Sequence, residues 1–115
     1  MEVMNLKYYV HNGPTNCANC LIVIHRGRKC SRKRGRFFNK SDLVKKNPWT
    51  YKNGAVAITD EEGTGDNNFN ITNGYKLEDN QNRVVVIYDG HRIKMENLEK
   101  RPKAIACGVL KKVSP

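Results

Sequence analysis

Hydrophobic residues in this chain come in short clusters broken by glycine, asparagine and charge, with the spacing of strands rather than of helices. The clearest cluster is 83–88 (RVVVIY), β-branched and aromatic, followed by Asp89-Gly90, a favoured two-residue hairpin turn. Residues 91–95 (HRIKM) then read as the returning strand. An earlier pair, 69–72 and 75–77, flanks Asn73-Gly74 and repeats that turn chemistry, so the four segments predict an antiparallel meander. Along 83–88, Val84, Val86 and Tyr88 share one face while Val85 and Ile87 share the other. Apolar side chains on both faces predict a central strand covered on both sides. Further strands are expected at 3–10, 21–24, 55–59 and 104–113, each bounded by glycine, proline, asparagine or charge. A single short helix is expected at 41–46, capped by Ser41, with Asp42 at its start, lysines at its end and Asn47-Pro48 stopping it. Residues 60–68 (DEEGTGDNN) read as a mobile acidic loop.

These elements predict a mainly β chain, 1–115 as one domain, folded as a small antiparallel β-barrel or a strongly curved sheet. Curling the sheet removes the exposed edges of such short strands, and SH3-like and OB-like arrangements both accommodate roughly five to seven of them. A hydrophobic fraction of 38% and a mean hydropathy of −0.71 leave a modest core that needs help to stay folded. No apolar run approaches the roughly 20 residues of a membrane span. The first residues, MEVMN, lack the basic-then-apolar pattern of a secretory signal. The expectation is an intracellular protein, cytoplasmic or nuclear, with reduced thiols.

Charge changes the picture most. Of the formal net charge of +10, nine units fall in 26–46, where ten Lys or Arg face one acid, Asp42; the remaining 94 residues carry 11 basic and 10 acidic side chains. Such concentration makes a local field against which a polyanion releases its counterions. Nucleic acid is the expected partner, with RNA or another single strand favoured. The candidate contacts are Arg26, Arg28, Lys29, Arg32, Lys33, Arg34, Arg36, Lys40, Lys45 and Lys46, on a basic arm interleaved with Gly27, Ser31 and Gly35. Arginines grip phosphates bidentately, and Phe37 offers a surface on which an unpaired base can stack. Phe37 and Phe38 also read as core anchors, and 32–36 (RKRGR) as a nuclear-localisation patch. Trp49 and Tyr51 either extend the stacking surface or belong to the core.

The same region holds Cys17, Cys20, His25 and Cys30, in the pattern Cys-x2-Cys-x4-His-x4-Cys within 14 residues. Four such ligands suit one tetrahedral zinc ion, which would staple a weak core. The spacing resembles the CCHC zinc knuckle of retroviral nucleocapsids and related RNA-binding proteins. That resemblance implies one structural zinc and a grip on single-stranded nucleic acid without catalysis. A second arrangement takes Cys107 as the fourth ligand. Two further readings stay open: Cys30 and Cys107 as small core residues, and two disulfides, which would accompany export and give meaning to the glycosylation acceptors at Asn39 and Asn70.

Catalysis finds little support. The stretch 88–99 is similar to the second half of an HNH nuclease motif, but Ile87 and Tyr88 stand where that motif carries its upstream histidine. A metal-independent nuclease using His11 or His91 is the enzymatic alternative. The others are a structural subunit of a ribonucleoprotein, ribosomal or nucleocapsid-like, and a binder of an acidic protein surface.

Overall fold

The computed structural model describes residues 3–18, 20–30, 35–38, 48–49, 54–88 and 104–112. Among these residues six strands and one helix follow one another: β1 Met4–Val10, β2 Cys20–His25, β3 Val56–Ala57, β4 Gly65–Ile71, α1 Leu77–Asn80, β5 Val84–Tyr88 and β6 Ala104–Val109. They form two antiparallel sheets, a pair β1-β4 and a four-stranded sheet ordered β3-β2-β5-β6. The mainly β, curved-sheet expectation holds. Among the described residues the sheets do not join into a closed barrel.

The four-stranded sheet carries the core. Leu21, Ile22, Val23 and Ile24 on β2 are all buried, and because successive side chains point to opposite faces, β2 is covered on both. Its neighbour β5 buries Val84, Val86 and Ile87 and lies between β2 and β6, the central position that its apolar faces predict. The pairing Val23↔Val86 and Ile24↔Val85 sets β-branched residues against each other across the ladder. Trp49, Phe38, Met4, Leu6 and Ile71 complete the same cluster, which places Trp49 and Phe38 in the core.

The β1-β4 pair follows the other strand rule, alternation. Met4, Leu6 and Val10 are buried between the exposed Asn5, Lys7 and Tyr9. On the outer face Asn5 donates to Asn68 at 3.0 Å and to Asn70 at 2.9 Å, a ladder of amides facing water.

Several elements differ from the sequence expectation. The segment 69–72 does not turn back at Asn73-Gly74; β4 pairs instead with β1, Met4 opposite Ile71. The reason lies in Asn73, which is buried. Its Nδ2 donates to the Phe38 carbonyl at 2.8 Å and to Asn80 Oδ1 at 2.6 Å, and its Oδ1 accepts from the Tyr75 amide at 3.2 Å. That network turns the chain inward toward α1, so the expected strand at 75–77 becomes the approach to a helix. Half of the acidic segment is also ordered differently: Gly65 to Asn68 belong to β4, while the Asp60 carboxylate accepts from the amides of Glu62 and Thr64, both at 2.9 Å. The helix expected at 41–46, the Asp89-Gly90 turn and the returning strand at 91–95 lie outside the described residues. No helix among the described residues is long and apolar enough to cross a membrane.

Candidate nucleic-acid interface

The geometry of the four-stranded sheet brings distant segments together. In an antiparallel sheet, the end of β2, the start of β5 and the end of β6 lie at the same edge of the ladder, and the register Val84↔His25 and Val84↔Val109 shows this directly. The chain leaves β2 at Arg26, enters β5 from Arg83, and leaves β6 toward Lys111 and Lys112. Backbone hydrogen bonds knit these segments into one unit. The Arg26 amide donates to the Arg36 carbonyl at 2.9 Å, the Val84 amide to Gly27 at 2.9 Å, the Leu110 amide to Arg83 at 2.8 Å and the Asn82 amide to Leu110 at 2.8 Å. Asn82 takes a positive φ of 67°, a conformation asparagine tolerates better than most residues, and it turns the chain from α1 into β5.

Seven cations thereby share one end of the sheet: Arg26, Arg28, Lys29, Arg36, Arg83, Lys111 and Lys112. Arg26, Arg28, Lys29, Arg36, Lys111 and Lys112 are exposed. Arg83 is half-buried and serves as a strut, donating to the Arg26 carbonyl at 2.8 Å and the Asp79 carbonyl at 3.1 Å, with its guanidinium 4.4 Å over the Phe38 ring. Phe38 in turn stacks on Tyr75 at 4.0 Å. These side chains and Asp79 line a shallow recess of about 380 Å³.

Of the residues expected to contact nucleic acid, Arg26, Arg28, Lys29 and Arg36 are gathered here. Phe37 is placed differently from its expected role as an open stacking surface: it is half-buried, and its ring meets the His25 ring edge-on at 5.2 Å. Arg32, Lys33, Arg34, Lys40, Lys45 and Lys46 lie outside the described residues. Arg83, Lys111 and Lys112 are additions. Arg83 and the pair Lys111-Lys112 lie far along the sequence from the basic arm, and only the return of β5 and β6 to the end of β2 reveals their company.

The zinc expectation is corrected in both of its arrangements. Cys17 is bonded to Cys20 and Cys30 to Cys107, so all four sulfurs are used in pairs. His25 closes β2, five residues beyond Cys20, a climb of roughly 16 Å along a strand. Its Nδ1 lies 2.9 Å from the Gly35 carbonyl, which can only accept, so this nitrogen carries the proton; Nε2 lies 2.7 Å from the Tyr88 hydroxyl. His25 is therefore a buried post that ties the base of the basic segment to β5. Among the described residues no group of three or more His, Cys, Asp and Glu side chains is placed to hold a metal ion. The CCHC likeness is one of spacing alone, and no site for the structural zinc it implied is formed.

The two disulfides differ in setting. Cys17 and Cys20 are fully buried beside the start of β2. Cys30 and Cys107 are exposed, and their bond lays the segment after Arg26 across to β6, fixing Lys29 beside that strand. No protein family and no curated protein matches this chain in sequence.

Proposed function

We propose that this protein is a small, non-catalytic nucleic-acid-binding protein that meets phosphates at the cationic end of its four-stranded sheet, with RNA or another single strand as the favoured partner. The observation that carries the reading is the convergence of Arg26, Arg28, Lys29 and Arg36 with Lys111 and Lys112 from the far end of the chain. A loop that is basic merely to stay soluble has no need of cations from the segment after β6 beside it. Several phosphates in a row are the ligand for which such an array gains most, because each neutralised phosphate releases a counterion.

The test is binding of a short fluorescent single-stranded RNA by the wild-type protein and by a variant carrying Arg28→Gln, Lys29→Gln, Lys111→Gln and Lys112→Gln. All four side chains are exposed, so the variant should fold like the wild type. The reading predicts a loss of well over tenfold in affinity. Equal binding by the two proteins would sink it. The same assay exposes the nuclease alternative, since an RNA cut during the measurement would point to His11 or His91.

One observation favours a second reading. Two disulfides suit an oxidising compartment rather than the reduced intracellular setting expected from sequence, and there an acidic protein surface is a competing polyanion. A partner of that kind would bind the same array and would be displaced by RNA.

A further inference from the structure

The cationic end continues into a groove that the function proposed above does not use. Among the described residues, strand β1 pairs only with β4, and β6 only with β5. A groove of about 450 Å³ is lined by residues of β1, β5 and β6, with Val85, Ile87 and Ala106 among them. Among the described residues its lining contains no Asp or Glu, whereas Lys7, His11 and Lys111 all contribute to it. Lys111 belongs equally to the cationic end, which makes the two surfaces continuous. Tyr9, on the rim, is 69% exposed, the most open large hydrophobic side chain among the described residues. Its ring lies nearly parallel to that of His11, at 11° and 6.3 Å between centroids.

An exposed tyrosine offers a flat aromatic face on which an unpaired base can stack. We infer that this groove holds the unpaired bases of a single-stranded nucleic acid, one base stacking on Tyr9, while the strand's phosphates pass between Lys7 and Lys111 onto the cationic end. The proposal rests on the nucleic-acid reading and adds to it a place for the bases. It supplies the aromatic contact for which Phe37, held against His25, is not available. Stacking is tolerant of sequence and of the sugar, so RNA and single-stranded DNA should use the groove alike.

The experiment compares a short single-stranded RNA, the same sequence as DNA, and an abasic strand with the same number of phosphates, each titrated against wild type, Tyr9→Ala and Tyr9→Phe. Tyr9 is on the surface, so both variants should keep the fold. The wild type should prefer the base-bearing strands over the abasic one by about tenfold, Tyr9→Ala should erase most of that preference, and Tyr9→Phe should retain it. Ultraviolet irradiation of the RNA complex should attach a nucleotide to Tyr9, read by mass spectrometry of the digested protein. Equal, tight binding of all three strands by the wild type would overturn the groove and leave the cationic end standing. Failure of every strand to bind would overturn both.

Discussion

The β2-β5 ladder and the cationic end that it carries are joined by covalent chain and by hydrogen bonds, yet they are built on opposite terms. In the ladder, side chains are buried on both faces and any change is felt as lost packing. At the cationic end, six long side chains reach into water and contribute almost nothing to holding the fold, although their positions depend wholly on the ladder beneath. The difference teaches where to cut: substitutions in the first region should unfold the protein, and those in the second should abolish binding while leaving it folded.

The largest stability effect should come from the link between the two regions. The Cys30–Cys107 disulfide spans a sequence separation of 77, against 3 for Cys17–Cys20. In a chain-entropy account, replacing the first pair by alanine should cost about 4 kcal/mol and replacing the second pair about 2 kcal/mol. Denaturant melts of the two variants would check the order. An equal loss would mean that burial of the short bridge outweighs the length of the loop closed by the other.

Next comes the ladder itself. Ile22→Ala removes a side chain with no exposed surface, and should cost roughly 3 kcal/mol by leaving a cavity. Smaller again is Tyr88→Phe, which deletes the hydroxyl facing His25 Nε2 and should cost about 1 kcal/mol. Proton NMR of the His25 ring would show whether the base of the basic segment loosens with it, which would sharpen the boundary between the regions.

The smallest effect concerns the turn ahead of β4. Amide hydrogen bonds from Thr64 and then Glu62 hold the Asp60 carboxyl below its ordinary range. A lowered folded value means that this contribution is complete above the unfolded carboxylate pKa of about 3.9 and is lost as the pH falls through the folded value. An acid titration of Asp60 by NMR should show a midpoint below the ordinary aspartate value of about 3.9. A midpoint in the usual range would remove the turn's claim to be prearranged.

How much of this was legible in the sequence follows the same division. The strand at 83–88 and its central position could be read because apolar residues on both faces leave few other options, and the short bounded segment at 3–10 marked β1. The partner of β4 could not be read, because Asn73-Gly74 is good turn chemistry for a hairpin and for the inward turn that Asn73 makes through Phe38 and Asn80. Cysteine pairing was equally hidden: Cys30 finds Cys107 only once β6 has docked on β5. The basic arm announced itself through local density, whereas Lys111 and Lys112 depend on topology, and a sum of charge over a window of sequence contains no topology. His25 looked like a ligand because spacing records residue type and not the strand that carries the residue away.

The central claim is that the cationic end reads phosphates, and the salt dependence of single-stranded RNA binding tests it most directly. Affinity should be measured from about 50 to about 400 mM salt for the wild type and for the variant neutralised at Arg28, Lys29, Lys111 and Lys112. With about five phosphates engaged, the wild-type log-log slope should lie near −3.5, and removing four cations should bring it to roughly −1. A wild-type slope near zero, or a variant slope equal to that of the wild type, would contradict the account.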